Sequence, residues 1–139
     1  MKTNVKCTDL RIGNWVYVPS FKYYNDEEDG FGKVKSINQD SIDVYPFKKL
    51  RYDKIEPIEL TEEVLVKIGF EKDGNNYSLV CGDIEVGYYI DKFKQVLYIN
   101  VCREKRFYKN ELRSYDVKYL HQLQNAYYCL TGQELEVEL

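Results

Sequence analysis

The side chains able to do chemistry in this 139-residue chain are one imidazole, four thiols, an acidic run and two groups of cations threaded with aromatics. His121, Gln124, Asn125 and Tyr128 fall at i, i+3, i+4 and i+7, so a helix through them places imidazole, two amides and a phenol on one stripe. Such a strip can hydrogen-bond a ligand or a partner's backbone; alternatively, it borders a solvated face or bonds a neighbouring loop. As the only histidine, His121 is the sole candidate base for a Ser-His or Cys-His mechanism, and no Gly-x-Ser-x-Gly elbow accompanies it. No catalytic residue is expected, and the chain reads as non-enzymatic.

Cys7, Cys81, Cys102 and Cys129 form no Cys-x-x-Cys pair, and a tetrahedral zinc site draws on closely spaced Cys and His. Neither a metal nor a cofactor is expected, and the thiols read as buried, free and inert. The acidic run Asp26-Glu27-Glu28-Asp29 lacks the alternating ligands, glycine and distal Glu of a calcium loop. The aromatics around it, Phe21, Tyr23, Tyr24 and Phe31, are a candidate surface for a protein partner, because Tyr supplies contact area at low entropic cost.

Lys48, Lys49, Arg51 and Lys54 make one basic cluster, and Arg103, Lys105, Arg106, Lys109 and Arg113 make another, interleaved with Phe47, Tyr52, Phe107 and Tyr108. Stacking rings beside phosphate-holding cations are the ingredients of single-strand or nucleotide binding. That reading requires Lys48, Lys49, Arg103 and Arg106 to converge on one face; otherwise the clusters are salt-bridged surface beside Asp53, Glu104 and Glu111. No phosphate-cradling glycine motif is present, so NTP hydrolysis has no support.

A net charge of −3 argues against binding nucleic acid by bulk positive charge. The hydrophobic fraction of 44% is too apolar for a disordered chain, while mean hydropathy is −0.55 and no apolar run approaches the ~20 residues of a membrane span. Residues 1–7 lack the apolar block of a signal peptide. The expectation is a folded cytoplasmic protein with no membrane association.

The elements that must position these groups can be read locally. Trp15-Val16-Tyr17-Val18 reads as a strand after the Gly13-Asn14 turn, followed by strands from Gly32 to Ile37 and Ser41 to Tyr45. Thr61 is an N-cap, Leu60 and Leu65 a hydrophobic staple, and Gly69 a left-handed terminator with Phe70 folding back, which predicts a helix over about 62–68. Strands follow over about 77–101, with Val96, Tyr98 and Asn100 on one face and Leu97, Ile99 and Val101 on the other. Leu120, Leu123, Tyr127 and Leu130 form the stripe of a helix over about 116–130, with Lys118, Gln122 and Asn125 opposite. Leu135, Val137 and Leu139 alternate with Glu, predicting a terminal strand over 134–139.

Three segments, Leu10 to Val16, Ile55 to Phe70 and Tyr119 to Gly132, together resemble a family of small uncharacterised proteins from Bacteroidetes phages and prophages, common in gut Bacteroides. The resemblance implies a bacterial-cytoplasmic setting and a phage accessory role, and brings no activity with it. The reading is an α+β protein: residues 1–57 a small, curved, SH3-like β unit, and residues 58–139 an antiparallel sheet packed with two helices, together one compact domain. The function expected is binding of a host protein, with nucleic-acid or nucleotide binding through the basic-aromatic clusters as the alternative.

Overall fold

The computed structural model describes residues 5–19, 30–45, 47–103 and 106–139, without the side chains of 101–103 and 106–112. The chain is mixed α+β, with two antiparallel sheets and two α-helices among the described residues. It divides into two compact units, Met1–Glu59 with Tyr119–Asn125, and Leu60–Lys118 with Ala126–Leu139.

In the first unit β1 (Trp15–Tyr17), β2 (Phe31–Ile37), β3 (Ile42–Val44) and β4 (Phe47–Leu50) form a meander in sequence order. The expected strands are there; β4 was not foreseen, because Phe47–Leu50 carries two exposed lysines and no alternating pattern. Val16, Val18, Val34, Ile42, Val44 and Ile55 make the core with Val5 and Leu10. Gly32 lies over the Val44 side chain, where a Cβ would collide, so glycine is what lets β2 and β3 approach at this point. Register shifts at Val34/Ser36 and Ile42/Val44 bend the strands. On the other side of β1, Tyr17 and Glu56 exchange two backbone hydrogen bonds of 2.8 Å.

The second unit opens with α1 (Glu62–Lys67). The Thr61 hydroxyl accepts from Val64 N–H at 3.3 Å, capping the first turn as expected. At its end Phe70 N–H donates to Leu65 O and Gly69 N–H to Val66 O, the paired bonds of a Schellman closure. Gly69 has φ of 102°, a backbone state that side chains resist. β5 (Glu71–Asp73), β6 (Asn76–Cys81), β7 (Ile84–Ile90), β8 (Gln95–Arg103) and β9 (Arg106–Ser114) then form a five-stranded meander. Tyr77, Val86, Tyr88, Leu97 and Ile99 are buried on one face, and Tyr88 donates from its hydroxyl to Val117 O at 2.6 Å.

Two expected boundaries are corrected. The second helix, α2, runs Leu120–Thr131 and not from 116. Tyr119 bridges to Glu59, and Leu120 N–H donates to Ile58 O, so the backbone just before the helix is held in extended pairing. Gln122 completes the start by accepting from Tyr119 N–H at 3.1 Å, the reaching-back half of a capping box. The terminal strand over 134–139 does not form. Its alternation survives as burial, with Leu135 buried and Glu134, Glu136 and Glu138 exposed, but no neighbouring strand pairs with it. Amphipathic period supplies a buried side, whereas a strand also needs a backbone partner, which local sequence does not specify.

The open surroundings of Gly69 isolate its conformational role, because a Cβ there meets nothing within 4 Å. Gly69→Ala is expected to destabilise the protein by about 1–2 kcal/mol, the cost of a left-handed L-residue, with Gly69→Asn costing less. Urea unfolding midpoints of the two variants check this.

Candidate binding site

The polar stripe of α2 is used by the fold. Gln124 is 2% exposed, and both ends of its amide are engaged: Oε1 accepts from Trp15 N–H at 2.9 Å and Nε2 donates to Gly13 O at 3.1 Å. Asn125 Oδ1 accepts from Asn14 Nδ2 at 2.9 Å and from Arg11 Nη1 at 3.3 Å, while its Nδ2 donates to Asp9 O at 3.2 Å. Asn14, 1% exposed, closes the turn by accepting from Arg11 N–H at 2.7 Å. The amides expected to meet a ligand or a partner therefore hold residues 9–15 of their own chain. Asn125, placed by periodicity on the water-facing side, is half-buried for the same reason.

His121 is 4% exposed and lies parallel to the Tyr119 ring, with centroids 6.0 Å apart. Its Nδ1 is buried without a hydrogen-bond partner. Burial pushes its pKa below the usual imidazole value, with Asp9 opposing weakly. Nucleophile and carboxylate contacts of the kind that would activate an imidazole are not among its described hydrogen bonds. Tyr128 is exposed and lies on the part of α2 that belongs to the second unit.

The other expected site residues fall in both units or outside the described residues. Phe21, Tyr23 and Tyr24 lie outside the described residues, as does Lys105. Phe31 is half-buried, packed edge-on against Tyr17 with centroids 5.9 Å apart. Lys48, Lys49 and Arg51 belong to the first unit, where Arg51 pairs with Asp53 at 3.0 Å and Lys49 N–H donates to Asp43 at 2.8 Å. Arg103 and Arg106 are backbone register partners in β8 and β9 of the second unit, as are Val101 and Tyr108. The two basic clusters thus occupy separate units. The cysteines correct a further expectation: Cys7 and Cys81 are half-buried and Cys129 is exposed, because it lies off the Leu120-Leu123-Tyr127 stripe.

Sequence reading missed a concave surface on the second sheet. The face of the β5–β9 sheet opposite Tyr88 bounds a concavity of about 810 Å³, walled by Asn76, Ser78, Glu85, Tyr89, Tyr98 and Arg113 among others. Strand register explains the grouping: Ser78, Gly87, Tyr98 and Arg113 are cross-strand partners in one row, and Asn76, Tyr89 and Val96 in the next. Gly87 has no side chain, and the Tyr98 ring lies across it where a Cβ would collide. Tyr98 OH donates to Asn76 Oδ1 at 3.3 Å, spanning β7, and Asn100 Nδ2 donates to Glu85 Oε1 at 3.2 Å. Burial raises the Tyr98 pKa, and the Glu85 and Asp73 carboxylates add to the rise. A phenol held protonated in this way exchanges hydrogen bonds at neutral pH and does not act as a base. Two carboxylates and two cations balance the lining among neutral amides and hydroxyls. The signal was within reach: the alternation that put Val96, Tyr98 and Asn100 on one face applies equally to Asn76-Ser78 and Glu85-Gly87-Tyr89.

Two outcomes follow for the α2 stripe. Removing the Gln124 amide as Gln124→Leu strips the part-buried Trp15 N–H and Gly13 O of partners, and the loss is expected to cost about 1–3 kcal/mol in all, read as a lowered urea midpoint. The unfolded chain binds a proton at His121 near its ordinary value and the folded chain only at lower pH, so stability is full above that value and falls on acidification. Wild-type unfolding free energy is expected to drop between pH 7 and pH 5, and His121→Gln is expected to flatten that segment of the profile. Among the described residues no three His, Cys, Asp or Glu side chains gather as metal ligands, and no helix is long and apolar enough to cross a membrane. Compared with protein-family models, curated proteins and solved structures, the chain matches none.

Proposed function

We propose that this is a non-enzymatic binding protein, a phage or prophage accessory factor in the bacterial cytoplasm that engages a host protein through the open face of the β5–β9 sheet. The observation that carries the reading is that concave face: aromatic and amide side chains arrayed in register on a five-stranded sheet whose other side is buried. Tyr and Arg are the residue types that concentrate binding energy at protein interfaces, and a sheet presents them with little to lose in entropy on docking. The charge-balanced lining favours a partner of mixed polar surface over a polyanion. The first unit, with its short strands and bulges, is read as SH3-like by analogy.

Replacing Ser78 with Arg fills the middle of the concavity without touching the buried face. Capture of a saturable partner from host lysate on immobilised protein is expected with the wild type. It is expected to fall by about tenfold or more in Ser78→Arg, as for loss of a central contact, and to persist in Tyr128→Ala. Capture that survives Ser78→Arg and is lost in Tyr128→Ala would move the interface to α2 and overturn this reading.

A further inference from the structure

The turn joining β7 to β8 presents the most exposed large apolar side chain among the described residues, Phe93, at 93%. A single exposed apolar residue is ordinary on a protein surface. Phe93 differs in three respects.

Its backbone is pinned. Asp91 Oδ1 accepts from the N–H groups of Phe93 at 2.7 Å and Lys94 at 2.8 Å, and Asp91 N–H donates to Lys94 O at 3.0 Å. The other carboxylate oxygen accepts from Tyr89 OH at 2.7 Å, which anchors the turn to β7. The ring is therefore held out in water by a braced support. Second, Phe93 bounds a notch of about 420 Å³ together with Tyr115, itself 54% exposed. That volume lies within the roughly 300–1,000 Å³ of small-ligand sites. Third, Lys92, Lys94 and Lys118 line the same notch, and Asp91, whose oxygens serve the turn, is the only carboxylate that does.

We propose that this notch binds single-stranded nucleic acid, one unstacked base packing against Phe93 and Tyr115 while the flanking phosphates lie on Lys92, Lys94 and Lys118. Aromatic platforms beside a cationic track are how single strands are held without sequence preference. A duplex offers phosphates but no free base face for a projecting ring. Insertion into an anionic membrane would use the ring and the lysines, yet it gives no role to a nucleotide-sized notch or to Tyr115 in its wall. The overall charge of −3 is no obstacle, because attraction is set by charges within a Debye length, about 8–10 Å at physiological salt. The same chemistry as that sought at Lys48–Arg51 and Arg103–Arg106 is here found on residues within one unit. Lys94 lines both surfaces, so the inference is tested at Phe93 and Lys92, which take no part in the sheet-face concavity.

Fluorescence anisotropy with a labelled twelve-nucleotide oligo(dT) and the full chain tests it, with phosphatidylserine vesicles as the second arm. Saturable binding that weakens with salt is expected. Phe93→Ala is expected to weaken it by about tenfold, within the range for loss of one stacked base. Lys92→Gln is expected to reduce the slope of log K against log salt by about 0.7, the value for one single-strand phosphate contact. Both side chains are exposed, and unchanged circular-dichroism melting curves confirm that the variants fold. Absence of oligonucleotide binding at low salt, or binding indifferent to Phe93→Ala, overturns the proposal. So does Phe93-dependent binding to vesicles without binding to oligo(dT).

Discussion

The buried amide of Gln124 is the constraint on which the first unit depends. A strand entering a small sheet leaves backbone donors and acceptors that must be paired once water is removed. Trp15 N–H and Gly13 O are such groups at the entry to β1, and a single side chain from α2 satisfies both. A primary amide can accept from one backbone group with its oxygen while donating to another with its nitrogen. Asn14 and Asn125 extend the fastening by one more amide pair, so residues that are more than a hundred positions apart close on each other. The helix is thereby a structural part of the unit whose strands are all formed before residue 60.

Two segments, Leu10 to Val16 and Tyr119 to Gly132, are the two sides of this fastening. Buried polar pairs of this kind restrict sequence strongly because a half-satisfied network is worse than an apolar one. The third segment, around Thr61 and Gly69, restricts sequence through a cap and a left-handed terminator. The Phe93 side chain at the β7–β8 turn, 93% exposed, is under no such packing constraint. Function grafted onto a scaffold belongs at such places.

What could be read in the sequence was what local chemistry determines. Thr61 caps α1 and Gly69 and Phe70 close it as expected, while Leu60 and Leu65, the expected staple pair, are both buried. The two faces of β8 followed from alternation alone. Non-local pairing decided the rest. The start of α2 is displaced by the bridge between Tyr119 and Glu59, partners that no local pattern connects. The alternating tail pairs with none of the described strands. The stripe His121-Gln124-Asn125 was found by helical spacing, but its partners in residues 9–15 are set by tertiary structure. Phe93 went unnoticed because an aromatic between two lysines reads as ordinary hairpin sequence until its exposure is seen.

Amide hydrogen exchange at Trp15 tests most directly whether the polar stripe is architecture. With Gln124 Oε1 as its acceptor, this N–H should open only with the first unit and exchange as slowly as the Val34 amide, which is bonded to Asn14 O. In Gln124→Leu it should exchange many-fold faster than Val34 in the same molecule. A Trp15 amide that exchanges freely in the wild type, or is equally protected without Gln124, would contradict the account.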